Sequence, residues 1–346
     1  MFPFKKYFIL RSIVKFFKIC FMSFFFVIPM ILSAEVNVYS YRQSFLVKPL
    51  FEKFTEQTGI EVNTIFASKG LIQKIQMEDR NSPADLLLTS NFTRLVEAQE
   101  LGLTQSIQDS TLEEAIPNAY KDPTGNWFGL TIRARLIYAS QERVKENEIT
   151  YEELNTSKWN RRICSRSGKH DYNIDLIASM IAHHGVEESK LWLKGVKENL
   201  ARRPQGNDRA QVKAIYAGQC DISLGNSYYF GKMMADPEQQ EWARSVKLLF
   251  PNQENRGTHV NISGMAITKY APNREDAIKL MRFLVSEDAQ KIYAEVNYEF
   301  PVRKGVALSP LLKPYEGFIS DNISLVDFIQ YRRDASILVD QVEFDE

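Results

Sequence analysis

Tyrosine recurs where apolar runs give way to polar ones. Residues 36–39 lead into Ser40-Tyr41-Arg42-Gln43, and residues 162–165 lead into a loop holding Lys169, His170, Asp171 and Tyr172. Residues 221–224 lead into Gly225-Asn226-Ser227-Tyr228-Tyr229. A fourth polar stretch, Thr131-Ile132-Arg133-Ala134-Arg135, separates two apolar runs. A phenol titrates near ~10, so it is a poor ligand for a divalent ion at neutral pH. A trivalent hard cation displaces that proton, because metal charge lowers the pKa of whatever it binds. Zinc, calcium and magnesium take thiolate, imidazole, carboxylate or carbonyl instead. Clustered tyrosines therefore point to ferric iron, and three phenolates would cancel its 3+ charge. Asn226 or Ser227 as N-cap sets Tyr228 and Tyr229 in a first helical turn, where the dipole favours anions. The competing reading of Tyr228-Tyr229 is an aromatic pair with one ring in the core.

The cysteines favour the first reading. Cys164 lies eight residues before Tyr172, and Cys220 lies eight before Tyr228. A bond between them would hold the two tyrosine loops side by side. Other polar residues invite plainer roles. His183-His184 precede Gly185, where imidazole can satisfy the last carbonyls of a helix. Asp85 and Thr89 read as the finish of a strand and the cap of the next helix. Arg133 and Arg135 can pair with surface acids. The chain has no GxSxG, P-loop, HExxH or GxGxxG, so nothing supports hydrolysis or hydride transfer.

The elements that must carry these loops follow from periodicity. A strand at 36–39, a helix at 46–58 stopped by Gly59, a strand at 60–66 and a helix at 71–79 open the chain. A buried strand at 85–88 and a helix at 93–101 continue it. This βαβα alternation implies a parallel sheet covered by helices. The pattern restarts with strands at 127–132 and 136–139, close enough together to cross between lobes. A strand at 162–165 and helices at 175–184, 188–200 and 208–217 come next. Then follow a strand at 221–224, a helix at 229–233 and strands at 246–250 and 259–268, the last broken by Gly264. Helices at 274–285 and 287–296 end the pattern. In such α/β folds ligands sit at the carboxyl ends of strands, in the cleft.

Composition fits that reading. The 346 residues carry 43 basic and 43 acidic side chains, 44% apolar and 25% charged, which is globular and excludes disorder or coiled coil. The zero net charge averages two unlike pieces. Lys5, Lys6, Arg11, Lys15 and Lys18 precede an apolar run over 16–32 that exits in Leu32-Ser33-Ala34, the pattern of a cleavable signal peptide. The run falls short of the ~20 residues a spanning helix needs, and Lys18 and Pro29 interrupt it. Cys20 departs with the leader, and Met22 is a candidate internal start. Removing the five basic residues leaves 38 basic against 43 acidic, a net charge of −5, which argues against nucleic acid or anionic membrane as partner. Export leaves Cys164 and Cys220, an even pair that favours a disulfide in an oxidising compartment, with two buried thiols as the alternative.

The segments 38–43, Arg162-Ile163-Cys164 through Tyr172, Gly225-Asn226-Ser227-Tyr228-Tyr229, 257–264 and Asn297-Tyr298-Glu299-Phe300-Pro301-Val302 resemble the periplasmic ferric-ion-binding proteins of iron(III) ABC importers. The resemblance runs over nearly all of 35–346. It implies an α/β, two-lobed periplasmic-binding-protein fold of class II-like architecture. Each lobe would be a central sheet flanked by helices, joined by crossing hinge strands. The boundaries expected are 1–34 for the signal peptide, 35–133 plus 258–308 for the N-terminal lobe, and 134–257 plus 309–346 for the C-terminal lobe. The family's paired tyrosines match Tyr228 and Tyr229, and its third matches Tyr172. Where some members carry histidine and tyrosine this chain has Gln43 and Ser44, and where others carry glutamate it has Ser90. The chain thus resembles the three-tyrosine branch, in which carbonate or another synergistic anion completes the coordination of Fe(III). Arg42, Gln43 and Arg133 are the groups expected to face that anion, with Tyr41 and Ser90 at the cleft. Two arginines balance a dianion, so the buried site is neutral overall.

The function implied is a monomeric periplasmic receptor, not an enzyme, that delivers Fe(III) to an inner-membrane ABC permease. One rival is a receptor for an organic or anionic solute such as a polyamine, thiamine or phosphonate. Such a site should be rich in carboxylates, and Asp171 is the only one in the motif loops. The other rival is a secreted enzyme with an iron or tyrosine centre, which a closed shell of phenolates and anion leaves no open position to serve.

Overall fold

β1 (Glu35–Ser40) buries Val36 and Val38 on either side of Asn37, with the two-residue period of a half-covered strand. The structure is a computed structural model and describes residues 34–346. The expected signal peptide, with Cys20 and Met22, lies outside the described residues except for Ala34. Among the described residues no helix is long and apolar enough to cross a membrane.

β2 (Glu61–Phe66) and β3 (Leu86–Thr89) flank β1, both parallel to it. The crossover from β1 to β2 is the helix Ser44–Thr58, which buries Val47, Leu50, Phe51 and Phe54 and ends at Gly59. Parallel pairing then stops. β4 (Phe128–Ser140) runs antiparallel to β8 (Val260–Ile267), which is itself antiparallel to β3. β5 (Ile163–Cys164) lies parallel to β6 (Ile222–Asn226), and β7 (Val246–Leu249) and β9 (Phe300–Pro301) each pair with β4. The order across the sheet is β2-β1-β3-β8-β4-β6-β5.

β4 is the hinge of this arrangement. Its first half pairs with β8 as far as Ala134 opposite Val260, and from Arg135 opposite Asn226 it pairs with β6 and then β7. Two cores result. Leu50, Phe54, Leu86, Leu130, Met265 and Leu284 pack together at one end, and Ile137, Trp159, Ile177, Trp192, Ile222 and Leu338 at the other. The fold is α/β and two-lobed, each half a sheet flanked by helices.

Several sequence expectations change. The strands expected at 127–132 and 136–139 are one strand, and the Thr131 to Arg135 stretch lies inside it. Its polar side chains looked like a loop because their partners are remote: Thr131 Oγ1 meets Ser263 Oγ at 2.5 Å, and Arg135 meets Asp208. β8 is not broken at Gly264, which pairs with Thr89 on one side and Gly129 on the other. The helix expected from 175 begins at Asp171, so Tyr172 stands in its first turn rather than in a loop. The sheet is mixed rather than parallel, because the βαβ pattern holds only through β3. The helices Ser110–Ala115, Leu325–Ile329 and Arg332–Gln341 were not read from the sequence.

Cys164 on β5 and Cys220 just before β6 form a disulfide, with Cα atoms 5.8 Å apart. The bond joins the two strands that lead to Tyr172 and Tyr228.

Candidate metal centre

The turn after β6 is pinned from three sides. Ser227 N–H donates to the Ala134 carbonyl at 2.9 Å, and Ala134 N–H donates to Ser227 Oγ at 3.2 Å. Asn226 N–H donates to Asp208 Oδ2 at 3.0 Å, and Tyr138 Oη donates to the Asn226 carbonyl at 2.8 Å. A Cβ on Gly225 would stand 2.5 Å from the Tyr138 ring, so only glycine lets strand and ring approach. The helix Tyr228–Met234 starts at once, and the Tyr228 and Tyr229 rings lie 4.2 Å apart between centroids. Ser227 stands at the N-cap, but its side chain serves β4 rather than the helix.

Tyr172 arrives from the other disulfide-linked strand. His170 caps its helix by accepting the Tyr172 N–H on Nδ1 at 3.2 Å, and the two rings meet edge to face at 4.5 Å. Burial and the neighbouring Arg166 push the His170 imidazole down to about 4, which keeps that nitrogen an acceptor at neutral pH. Tyr172 Oη and Tyr228 Oη then lie 3.5 Å apart. The three expected tyrosines therefore gather in one place. Burial, then the neighbouring Tyr172 and Tyr229, pushes the Tyr228 phenol well above its ordinary value. Burial, Tyr172 and the Asp208 charge push Tyr229 up to about 12. Both stay protonated at neutral pH unless a cation displaces the proton.

Guanidinium groups surround Tyr172. Arg166, Arg135 and Arg133 place Cζ at 5.2, 5.8 and 6.0 Å from its ring centroid. Arg135 and Arg166 share the buried Asp208, at 2.8 Å and 3.0 Å. Arg135 also donates to Asn173 Oδ1 at 2.7 Å. Arg133 is 3% exposed and bonds the Ser90 and Ile262 carbonyls and Asn261 Oδ1. It forms no ion pair with a carboxylate among the described residues. Among those residues no group of three or more His, Cys, Asp or Glu could hold a metal ion. The phenols of Tyr172, Tyr228 and Tyr229 are hard donors, anionic once deprotonated, and guanidinium groups surround Tyr172.

Other expected residues take different places. Arg42 grips Glu299 with both terminal nitrogens, at 2.7 Å and 3.3 Å, and both side chains are at most 5% exposed. Its charge is therefore neutralised by the protein rather than offered to an anion. Gln43 sits exposed at the N-cap of Ser44–Thr58 without a side-chain cap bond. Tyr41 is buried, and its hydroxyl accepts the Ile72 N–H at 3.0 Å, capping the helix Leu71–Glu78. Ser90 meets Arg133 through its carbonyl. Asp85 bonds Asn37 N–H and Asn273 N–H instead of a following helix, and Thr89 Oγ1 is buried without a partner among the described residues. His183 and His184 meet Asp321 and Glu152 at 2.8 and 2.9 Å rather than carbonyls. Arg135 was expected to pair with a surface acid and instead meets the buried Asp208, which with Arg166 was not singled out for the site, although Arg133 and Arg135 alternate as one face of a strand requires.

A second polar cluster lies beside the phenols. Asp175 Oδ2 accepts Asn91 Nδ2 at 2.8 Å and Asn261 Nδ2 at 2.7 Å, and Arg332 pairs with its other oxygen. The helix Tyr228–Met234 meets Tyr298 at Gly231, where a Cβ would fall 2.1 Å from that ring.

The family model for bacterial extracellular solute-binding proteins matches residues 81–316. Iron uptake protein A1 of Synechocystis is 45% identical over 84% of this chain and 82% of its own. The apo ferric ion-binding protein A of Pasteurella haemolytica superposes with a TM-score of 0.86 at 47% identity, covering 90% of this chain and 98% of that one. A Trichodesmium protein solved with iron and citrate ligands gives 0.85 at 43% identity, over 90% of this chain and all of that one. This chain belongs to the bacterial extracellular solute-binding proteins and, within them, to the periplasmic ferric-ion-binding group.

Proposed function

We propose that this protein captures Fe(III) in an interlobe cleft through the phenolates of Tyr172, Tyr228 and Tyr229. A synergistic anion completes the coordination, carbonate or another small anion, and Arg133 faces it. The observation that carries this reading is the 3.5 Å approach of Tyr172 Oη to Tyr228 Oη, with the tilted Tyr229 ring 4.2 Å from that of Tyr228. Iron is the substrate and leaves unchanged, so the protein acts as a receptor. The binding-protein relatives support that role, and the Trichodesmium complex with citrate supports a carboxylate beside the metal. The leader at 1–34 sends the chain to the periplasm, where it serves as a monomer and hands iron to an inner-membrane ABC permease. The lobes 35–133 plus 258–308 and 134–257 plus 309–346 close over the metal by bending where β4 changes partners.

Loading purified protein with ferric citrate should give a visible phenolate-to-iron charge-transfer band. Tyr228→Phe with Tyr229→Phe should abolish the band and lower iron affinity by orders of magnitude. A double variant that keeps both colour and affinity would overturn the assignment.

A further inference from the structure

The turn that leads into the helix Asp171–His184 is gripped by a residue 177 positions downstream. Gly168 N–H donates to Asp345 Oδ1 at 2.7 Å, and Ser167 Oγ donates to Asp345 Oδ2 at 2.6 Å. Two charge-assisted bonds from one carboxylate fix the turn in angle as well as in place. Within the turn, Ser167 Oγ accepts the Lys169 N–H at 3.2 Å, and the Ser167 carbonyl accepts the His170 N–H at 3.2 Å. That carbonyl also accepts Asn173 Nδ2 at 3.1 Å, one residue past Tyr172. Asp345 is itself steadied. Phe344 and Val339 are buried against Gly168, where a Cβ would stand 2.8 Å from the Phe344 ring and 2.9 Å from Val339 Cγ1. Phe344 N–H donates to the Val339 carbonyl at 3.1 Å, which ties this segment to the helix Arg332–Gln341. Arg203 Nε donates to the Asp345 carbonyl at 2.6 Å.

We infer that Asp345, seated by Phe344, is a positioning residue for the Tyr172 ligand. This rests on the tyrosine site proposed above. Tyr172 stands in the first turn of its helix, where backbone N–H groups lack intrahelical partners and the chain frays most easily. Its own N–H is met only by His170 Nδ1, and His170 closes the turn that Asp345 holds. The carboxylate therefore sets the turn, the turn sets the start of the helix, and the start of the helix aims the phenol. Tyr228 and Tyr229 take their direction from the turn bonded to β4 and do not depend on Asp345.

Fe(III) affinity of the whole mature protein, read from the charge-transfer band in competition with citrate, tests this in pairs of variants. Asp345→Ala should weaken binding about tenfold, the lower end of what losing an outer partner costs a metal site. It should cost the same factor in a Tyr229→Phe background and nothing in a Tyr172→Phe background, because it acts through Tyr172. An equal loss in the Tyr172→Phe background overturns the inference. Amide hydrogen exchange of the iron-free protein gives a second reading that needs no metal. Asp345→Ala should speed exchange over 168–174 about tenfold and leave 178–181 of the same helix at the wild-type rate. Exchange unchanged over 168–174, or raised uniformly along the helix, overturns the role of Asp345 as well. Should the alanine variant fail to fold, Asp345→Asn keeps an acceptor for the Gly168 N–H, and both measurements should move the same way by less. If wild type shows no charge-transfer band, the tyrosine site fails, and exchange alone decides whether Asp345 holds the turn.

Discussion

At the scale of single residues, the proposed centre depends on phenols that resist ionisation until metal arrives. Burial raises Tyr228 and Tyr229, so at neutral pH each gives up a proton only in exchange for iron. Three ligands exchanged this way make affinity climb with pH by at most about a thousandfold per unit, and fall equally on acidification. A pH-stat titration of iron loading should therefore record release of two to three protons per metal; release near zero would mean the phenols are not ligands. The tyrosines were legible in the sequence because they follow short apolar strands, with Tyr172 and Tyr228 each eight residues after a cysteine and Tyr229 next to Tyr228. Their charged surroundings were not. Glu299 lies 257 residues from Arg42, and Asp208 lies 73 from Arg135, so no local pattern announces either pair.

At the scale of elements, Tyr228 and Tyr229 are aimed by a helix of only seven residues, which has little stability of its own. It takes its position from contacts at its start and middle: the Ser227 turn bonded to β4, and Gly231 seated on the Tyr298 ring. Gly231→Ala should push ring and helix apart and cost about 1–3 kcal/mol of stability, as overpacking does. Thermal unfolding of Gly231→Ala, Tyr298→Ala and the double variant checks this. Coupling of the two changes is expected, and strict additivity would show that the contact does not position the helix. Most helices were legible from their apolar spacing and glycine stops. The joined strand β4 was not, because buried polar residues with distant partners look the same in sequence as a solvated loop.

At the scale of the molecule, Asp175 ties the helix Asp171–His184 to Asn91 after β3 and to Asn261 on β8. A hydrogen bond to a charged group contributes about 1.5–3 kcal/mol. If the lobes part to release iron, that bond must break first. Asn91→Ala should then speed iron removal by a strong chelator about ten- to a hundredfold, for the same 1.5–3 kcal/mol, while the charge-transfer band keeps its position. Stopped-flow release rates equal to wild type would place the tie outside the closing motion. The two-lobed fold was legible in outline from the restart of the βα pattern after 126. Which strand crosses, and where it changes partners, depends on long-range pairing.

β4 also bears on how the chain reaches its native state. Its first half lacks a full sheet until β8 arrives from more than a hundred residues downstream, and its second half waits for β6 and β7. The second half can complete its pairing once residues near 249 are available, whereas the first half waits for residues near 265. Pairing over such sequence distances makes closure of this sheet slow relative to the local βαβ unit at its start.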